Sequence, residues 1–471
     1  MAEGTFHEVK GKVKEITGEL SNNLKLKAEG TDEKDSRFIL QYRKDSMKHL
    51  RLAVIFWLCL VLLPAACWAA DDGYGYPIPG SYEATILGTP DNLKLAPPDK
   101  ISIRQLVLDV IPDIKKPDIF FYNKGLRCTL AYQDKKAPLV FLIAGTGAGD
   151  QSQDIVAMMT ALYKAGYHVI TLPSPTYPNF IISASDSHVP GDLTEDAADL
   201  YRVMENAWNK VKEDIEVSDF YLGGYSLGGT QAVFVAKLDE ERKIFNFRKV
   251  LMVNPAVNLY NSVTRIAGLL DKIPGGPRKI GAYFNDMLAK FTEFYRRGDF
   301  IDFNDKLLYA VYKSKLFSHV EDGGLVGLSF RISSAGMIFS SDVMTNGGYV
   351  VPKNRILSAT DPLGDYFLVC VHLSFINYFD EYLYPYFLKK RPGLTREEFI
   401  DSLGLKSIEG YLKSSSKFGV MTNDNDFILS PAEIDYLRQL FGEQTKVYPR
   451  GGHLGNLEYR DNMAYIIGFF K

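Results

Sequence analysis

Gly224-Tyr225-Ser226-Leu227-Gly228 stands where one kind of periodicity gives way to another. Before it, Phe220, Tyr221 and Leu222 form a short apolar, aromatic run of the kind that ends a buried strand. After it, Leu227, Ala232, Val233, Val235 and Ala236 recur at helical spacing. A serine at such a junction sits on a sharp, strained turn that lifts its hydroxyl clear of the sheet. Glycines on either side let neighbouring backbone pass without Cβ clashes. The N-terminus of the following helix offers N–H groups and a partial positive charge to a developing oxyanion. The chemistry this shape serves is nucleophilic attack on a carbonyl. A Gly-rich turn built only for close packing carries the same letters, so the weight falls on the partners that the rest of the chain supplies.

The strand, turn and helix around Ser226 resemble the nucleophile elbow of the α/β-hydrolase superfamily, which implies the chain order nucleophile, acid, histidine. His453 lies in Arg450-Gly-Gly-His-Leu-Gly-Asn456, and of the seven histidines it alone has this glycine setting at a strand end. Asp424 and Asp426 share the turn Asn423-Asp-Asn-Asp-Phe427 after the apolar run Phe418–Thr422. In the superfamily the acid commonly stands three residues after a turn glycine. Asn423 takes that place here, and asparagine tolerates left-handed backbone angles. Asp426 is therefore expected to orient His453, with Asp424 pointing outward and bonding its own backbone. The oxyanion donors implied are the backbone N–H groups of Leu227 and of Thr146, in Gly145-Thr146-Gly147. That turn departs from the family in having neither a His-Gly nor a Gly-Gly-Gly motif. It is not a phosphate loop either, since no Lys-Ser/Thr follows and no GxGxxG is present. The resemblance implies no metal and no organic cofactor.

Strands alternate with helices in the pattern of a mostly parallel α/β sheet covered by helices on both faces. Ile119–Tyr122 and Arg127–Tyr132 read as an antiparallel pair of strands. Pro138–Ala144, His168–Leu172, the elbow strand, Lys249–Val253, Phe418–Thr422 and Thr445–Tyr448 read as the strands that follow. Helices are expected at Asp154–Ala165, Leu193–Lys212, Pro431–Phe441 and within Asn456–Phe470. From about 258 to 411 the alternation stops, which implies a large, mainly helical lid insertion. Its aromatic segment Tyr366–Phe387 is expected to line or roof the site.

The N-terminus is organised differently. Residues 1–46 are polar, and Val9-Lys-Gly-Lys-Val-Lys-Glu-Ile-Thr-Gly-Glu19 with Ala28-Glu-Gly-Thr31 resembles the CsbD-like stress-response family. A disordered charged extension is the other reading. Met47–Arg51 is basic, Leu52–Leu63 is apolar, and Pro64-Ala-Ala-Cys-Trp-Ala-Ala70 supplies small residues, which is the anatomy of a signal peptide. Cys67 stands in a lipoprotein-like box. An uncleaved Leu52–Ala70 is long enough for a membrane anchor. Either way the chain is expected to be exported, periplasmic or membrane-attached, with residues 71–471 as the hydrolase domain and 71–117 as an arm crossing its surface. Cys128 and Cys370 either pair in an oxidising compartment or remain two buried thiols. Net charge is −3 with no long basic run, which argues against a nucleic-acid partner. The expected activity is cleavage of a small-molecule or lipid carboxylic ester with an apolar acyl group. A peptidase or thioesterase uses the same machinery. From another class, the rival is a non-catalytic envelope protein that binds a partner with this fold.

Overall fold

The computed structural model describes residues 73–297 and 310–471, so the polar extension at 1–46 and the 47–70 segment lie outside the described residues. Eight strands make one sheet in the order β1-β2-β4-β3-β5-β6-β7-β8. They are β1 (Ile103–Leu108), β2 (Leu126–Ala131), β3 (Ala137–Ile143), β4 (His168–Leu172), β5 (Val217–Tyr225), β6 (Val250–Val253), β7 (Phe418–Asn423) and β8 (Thr445–Tyr448). β2 runs antiparallel to both β1 and β4, and every pairing from β4 through to β8 is parallel. This is the α/β-hydrolase sheet. β3 lies between β4 and β5, so the chain leaves β3 outward to β4 and then returns across it to β5. That reversal brings the turns after β3 and β5 together at the carboxyl edge of the sheet, where ligands bind in open α/β folds.

β4 is buried at every position and β3 at all but one, which is why both read as continuous apolar runs rather than alternations. One face packs on α4 (Leu193–Val211) and α5 (Leu227–Arg242): Phe141, Leu222 and Val250 share a core with Leu200, Met204, Val233 and Ala236. On the other face, α2 (Gln153–Lys164) packs with α15 (Arg460–Phe470), whose Phe470 meets the rings of Tyr167 and Tyr221. The short α1 (Ser81–Leu87) precedes the sheet, the short α3 (Pro178–Ser183) follows β4, and α14 (Pro431–Phe441) stands after the insertion.

The edge of the sheet differs from expectation. The antiparallel partner of β2 is Ile103–Leu108, not Ile119–Tyr122. Asp118–Phe120 is instead a 3₁₀ turn after Pro117, and it tucks Ile119 and Phe120 against Val351 and Leu357. β1 was hidden because an edge strand buries one side only: Leu106 and Leu108 point inward, while Gln105 and Val107 face solvent. The arm before it does more than cross the surface, since Tyr76, Ile78, Ala84 and Thr89 are buried.

The insertion is helical among its described residues, with no strand between β6 and β7. Its main helices are α6 (Leu259–Asp271), α7 (Ile280–Arg297), the 27-residue α8 (His319–Thr345) and α9 (Gly364–His372). Shorter pieces follow at α10 (Phe375–Tyr378), α11 (Tyr384–Lys390), α12 (Arg396–Ser402) and α13 (Glu409–Lys413). The aromatic segment fills a core built mainly by the insertion, which Ile181 and Val189 from the segment after β4 join. Phe375, Tyr378, Phe379 and Phe387 are buried with Leu270, Ile273 and Tyr283, and Phe379 and Phe387 both meet Phe399. Dense aromatics mark a large apolar area to be buried but do not say against which surface. No helix among the described residues is long and apolar enough to cross a membrane. Cys128 and Cys370 are both free and buried, one in the sheet core and the other in the insertion's core. Burial pushes both thiols up, that of Cys370 to about 12.

Candidate active site

Ser226 joins β5 directly to α5 with φ 54° and ψ −126°, a conformation that costs an L-residue about 1–3 kcal/mol. The surroundings enforce it. Ser226 N–H donates to Val253 O at 2.8 Å, tying the turn to β6. A Cβ on Gly228 would stand 2.3 Å from Ile143 O, so α5 starts hard against the end of β3. Here the glycine answers a close approach of backbone to backbone, and the serine hydroxyl projects away from it.

Three side chains from three strand ends meet there. Ser226 Oγ lies 2.9 Å from His453 Nε2, and His453 Nδ1 lies 3.0 and 3.1 Å from the two Asp426 oxygens. A carboxylate accepts the Nδ1 proton, which leaves the Nε2 lone pair to accept from the serine hydroxyl. Asp426 is held in turn by Asn254 Nδ2, which donates to Oδ2 at 2.8 Å, and by Ile428 N–H, which donates to Oδ1 at 3.2 Å. Asp426 and His453 are buried and Ser226 keeps only 8 % of its surface, so the bonds operate out of bulk water.

Asp424 points outward, as expected, but toward Arg438 Nη2 at 2.6 Å rather than its own backbone. Its backbone N–H extends the sheet pairing to Tyr448 O. Asn423 is not left-handed. It ends β7 with a buried side chain that donates to Gly452 O at 2.8 Å and to Asn456 Oδ1 at 2.9 Å. The polar amide therefore serves the loop that carries His453, not the turn geometry.

Leu227 is the first residue of α5, where backbone N–H groups lack intrahelical acceptors. In the turn after β3, Gly147 N–H donates to Thr176 Oγ1 and Ala148 N–H to Gly145 O. Of these three successive donors, only that of Thr146 has no acceptor among the described residues. Leu227 and Thr146 thus stand at the ends of neighbouring strands with N–H groups available to an oxyanion.

Other residues of the site left no signal in the sequence. Asn254 follows β6 with φ 46° and was legible only as the point where the strand–helix alternation stops. From the insertion, α8 crosses the site: Phe330 comes within 6.5 Å of His453 between ring centroids. One turn further on, the Ser333 Cβ lies 3.0 Å from where a Cβ on Gly147 would stand. The insertion thus brings α8 to this cluster, while most of the Tyr366–Phe387 aromatics expected there pack into the core that the insertion shares with Ile181 and Val189. On the acid loop, Phe427 meets the His453 ring at 5.8 Å. A further carboxyl, Asp154 in the first turn of α2, is raised to about 7, first by burial and then by Glu458, with His453 pulling the other way.

No family model matches the chain, and no curated protein matches it. Solved structures of hydrolases align with it at low identity. Est1E from Butyrivibrio proteoclasticus is 13% identical over 74% of this chain and 94% of its own, with a TM-score of 0.34. A membrane phospholipase A described as a bacterial virulence factor is 14% identical over 82% and 87%, with a TM-score of 0.39. The thioesterase domain from the curacin biosynthetic pathway is 13% identical over 79% and 100%, at 0.34. Likeness at these scores carries no weight of its own. The class, an α/β-hydrolase fold, rests on the strand order and the elbow.

Proposed function

We propose that this chain is a serine hydrolase that cleaves a carboxylic ester through an acyl-enzyme on Ser226. The observation that carries the reading is the unbroken chain Asp426–His453–Ser226, assembled from the ends of β7, β8 and β5. Ser226 Oγ attacks the ester carbonyl as His453 Nε2 takes its proton, and Asp426 stabilises the imidazolium that forms. The tetrahedral oxyanion is met by the N–H groups of Leu227 and Thr146. Collapse expels the alcohol, which receives the proton from His453. Water then attacks the acyl-enzyme by the same route, returning the acid product and free Ser226.

Phe330 and Phe427 flank His453 with apolar surface, which favours an apolar acyl group. On this reading α8 acts as the lid. A thioesterase or peptidase employs the same groups, and a binding scaffold would need none of them aligned. A fluorophosphonate probe tests the assignment: it is expected to label the wild type on Ser226 and nowhere else in the chain. Absence of labelling, with the fold intact, favours the non-catalytic alternative.

The basic, apolar and small-residue sequence from Lys48 to Ala70 supports export as part of the same proposal. The mature chain is expected to begin at Cys67 or Ala70. N-terminal sequencing of fractionated native protein reads this directly, and soluble cytoplasmic material retaining residues 1–66 would contradict it.

A further inference from the structure

The loop that carries His453 has little regular structure to hold it. Gly451, Gly452 and Leu454 have φ of 147°, 57° and 67°, so the backbone around the histidine turns through positive φ on both sides. Its position is set from outside. On one side the acid loop grips Gly452, whose N–H donates to Asn425 Oδ1 at 2.9 Å and whose carbonyl accepts from Asn423 Nδ2. On the other side lies the arm at residues 76–94, which precedes the whole sheet in the chain.

The arm makes its contacts with the histidine loop along its length. Arg450 Nε donates to Tyr76 O at 2.7 Å, Thr89 Oγ1 donates to Gly455 O at 3.1 Å, and the Tyr76 hydroxyl shares its one proton between Gly88 O at 2.8 Å and Gly455 O at 3.1 Å. The backbones of α1 and the loop touch directly. A Cβ would fall 2.0 Å from Ser81 O at Gly452 and 2.1 Å from Ala84 O at Gly455. At the centre, the backbone N–H of His453 itself donates to Thr85 Oγ1 at 2.9 Å. The Thr85 hydroxyl gives its own proton to Ser81 O, also at 2.9 Å, so a lone pair is what it turns toward His453. This is a fixed acceptor at the main chain of the residue whose ring must reach Ser226 and Asp426 together.

We propose that Thr85 is a positioning residue for His453, and that the 76–94 arm, though outside the sheet, is a working part of the active site. This rests on the serine-hydrolase reading above. Thr85 touches neither substrate nor reacting atoms. It acts by fixing the Cα from which the imidazole is suspended, and displacement of a catalytic group by about 1 Å can cost on the order of 10²-fold in rate.

The test compares Thr85→Val, which keeps the shape and removes the acceptor, with Thr85→Ser, which restores it. Both are made in the full chain, and active sites are counted by fluorophosphonate titration, so that any unfolded fraction drops out. On a soluble p-nitrophenyl ester, Thr85→Val is expected to lose about tenfold in kcat with KM held within about twofold, and Thr85→Ser to recover most of it. A merely structural threonine would change the number of titratable sites and not the turnover of each. Thr85→Val with wild-type kcat per site overturns the proposal.

Hydrogen exchange of the peptide covering 450–457 gives a reading that needs no turnover. Its amides are expected to exchange about tenfold faster in Thr85→Val, with β3 and β5 unaffected. Unchanged exchange in the loop overturns the proposal as well. Should the wild type neither label nor turn over esters, the functional reading falls, and exchange alone decides whether Thr85 fixes the loop. If Thr85→Val does not fold, Thr85→Ala, which removes the same acceptor with a smaller side chain, is judged by the same two readings.

Discussion

Ser226→Ala is expected to abolish turnover of short p-nitrophenyl esters, a loss of about 10⁶-fold in kcat, without lowering the melting temperature. The substitution removes one atom, and among the described residues that atom's only side-chain bond is to His453 Nε2. No helix cap is lost, because the Ser226 side chain makes no capping hydrogen bond to α5. The backbone strain at φ 54° is the same for alanine, since both residues carry a Cβ. What survives is the catalysis that the oxyanion donors and substrate binding supply alone, about 10³–10⁴ over water. Paired measurements of kcat and thermal unfolding on wild type and variant check both halves. Turnover within a few-fold of wild type would remove Ser226 from the mechanism, whatever the structure of the elbow.

The parts of this fold that were legible in the sequence are those whose local chemistry and tertiary role agree. α14 was read to the residue: Ser430 caps it, Pro431 opens it, and Glu433 returns the capping-box bond to the Ser430 backbone. β3 and β4 were visible because burial on both faces makes an unbroken apolar run. Ser226, Asp426 and His453 could be named because each sits at a strand end, where a turn must aim a side chain across the sheet edge. The elements that stayed hidden are those whose partners are remote. β1 is half polar because its other side is solvent, and the apolar run at Ile119–Tyr122 imitates a strand although its residues serve a 3₁₀ turn that meets the distant Val351 and Leu357. The bond from His453 N–H to Thr85 spans 368 positions, and nothing near either residue announces it. The role of Asn423 is hidden for the same reason, since its amide is explained by Gly452 and Asn456 and not by its own turn.

Two aspartates two residues apart should respond oppositely to the same change. Asp426→Asn is expected to cost about 10⁴-fold in kcat/KM, and Asp424→Asn less than about twofold. The Asp426 oxygens already accept from Asn254 Nδ2 and Ile428 N–H, one on each. An asparagine in that place must keep an oxygen toward at least one of these donors and present N–H groups to the rest. Facing His453 Nδ1 with a donor forces the proton to Nε2, and Nε2 can then no longer accept from Ser226. Wild-type shape is preserved while the wrong tautomer is selected. Asp424 has no such position. Half of its side chain is exposed, and its partner is the equally exposed Arg438, a surface pair worth at most about 1 kcal/mol. Steady-state kinetics on both variants, with unfolding curves to show that each remains folded, separates the two. A crippled Asp424→Asn beside an active Asp426→Asn would reverse the assignment. Equal small losses would mean that the carboxylate beside His453 holds the ring in place without setting its tautomer.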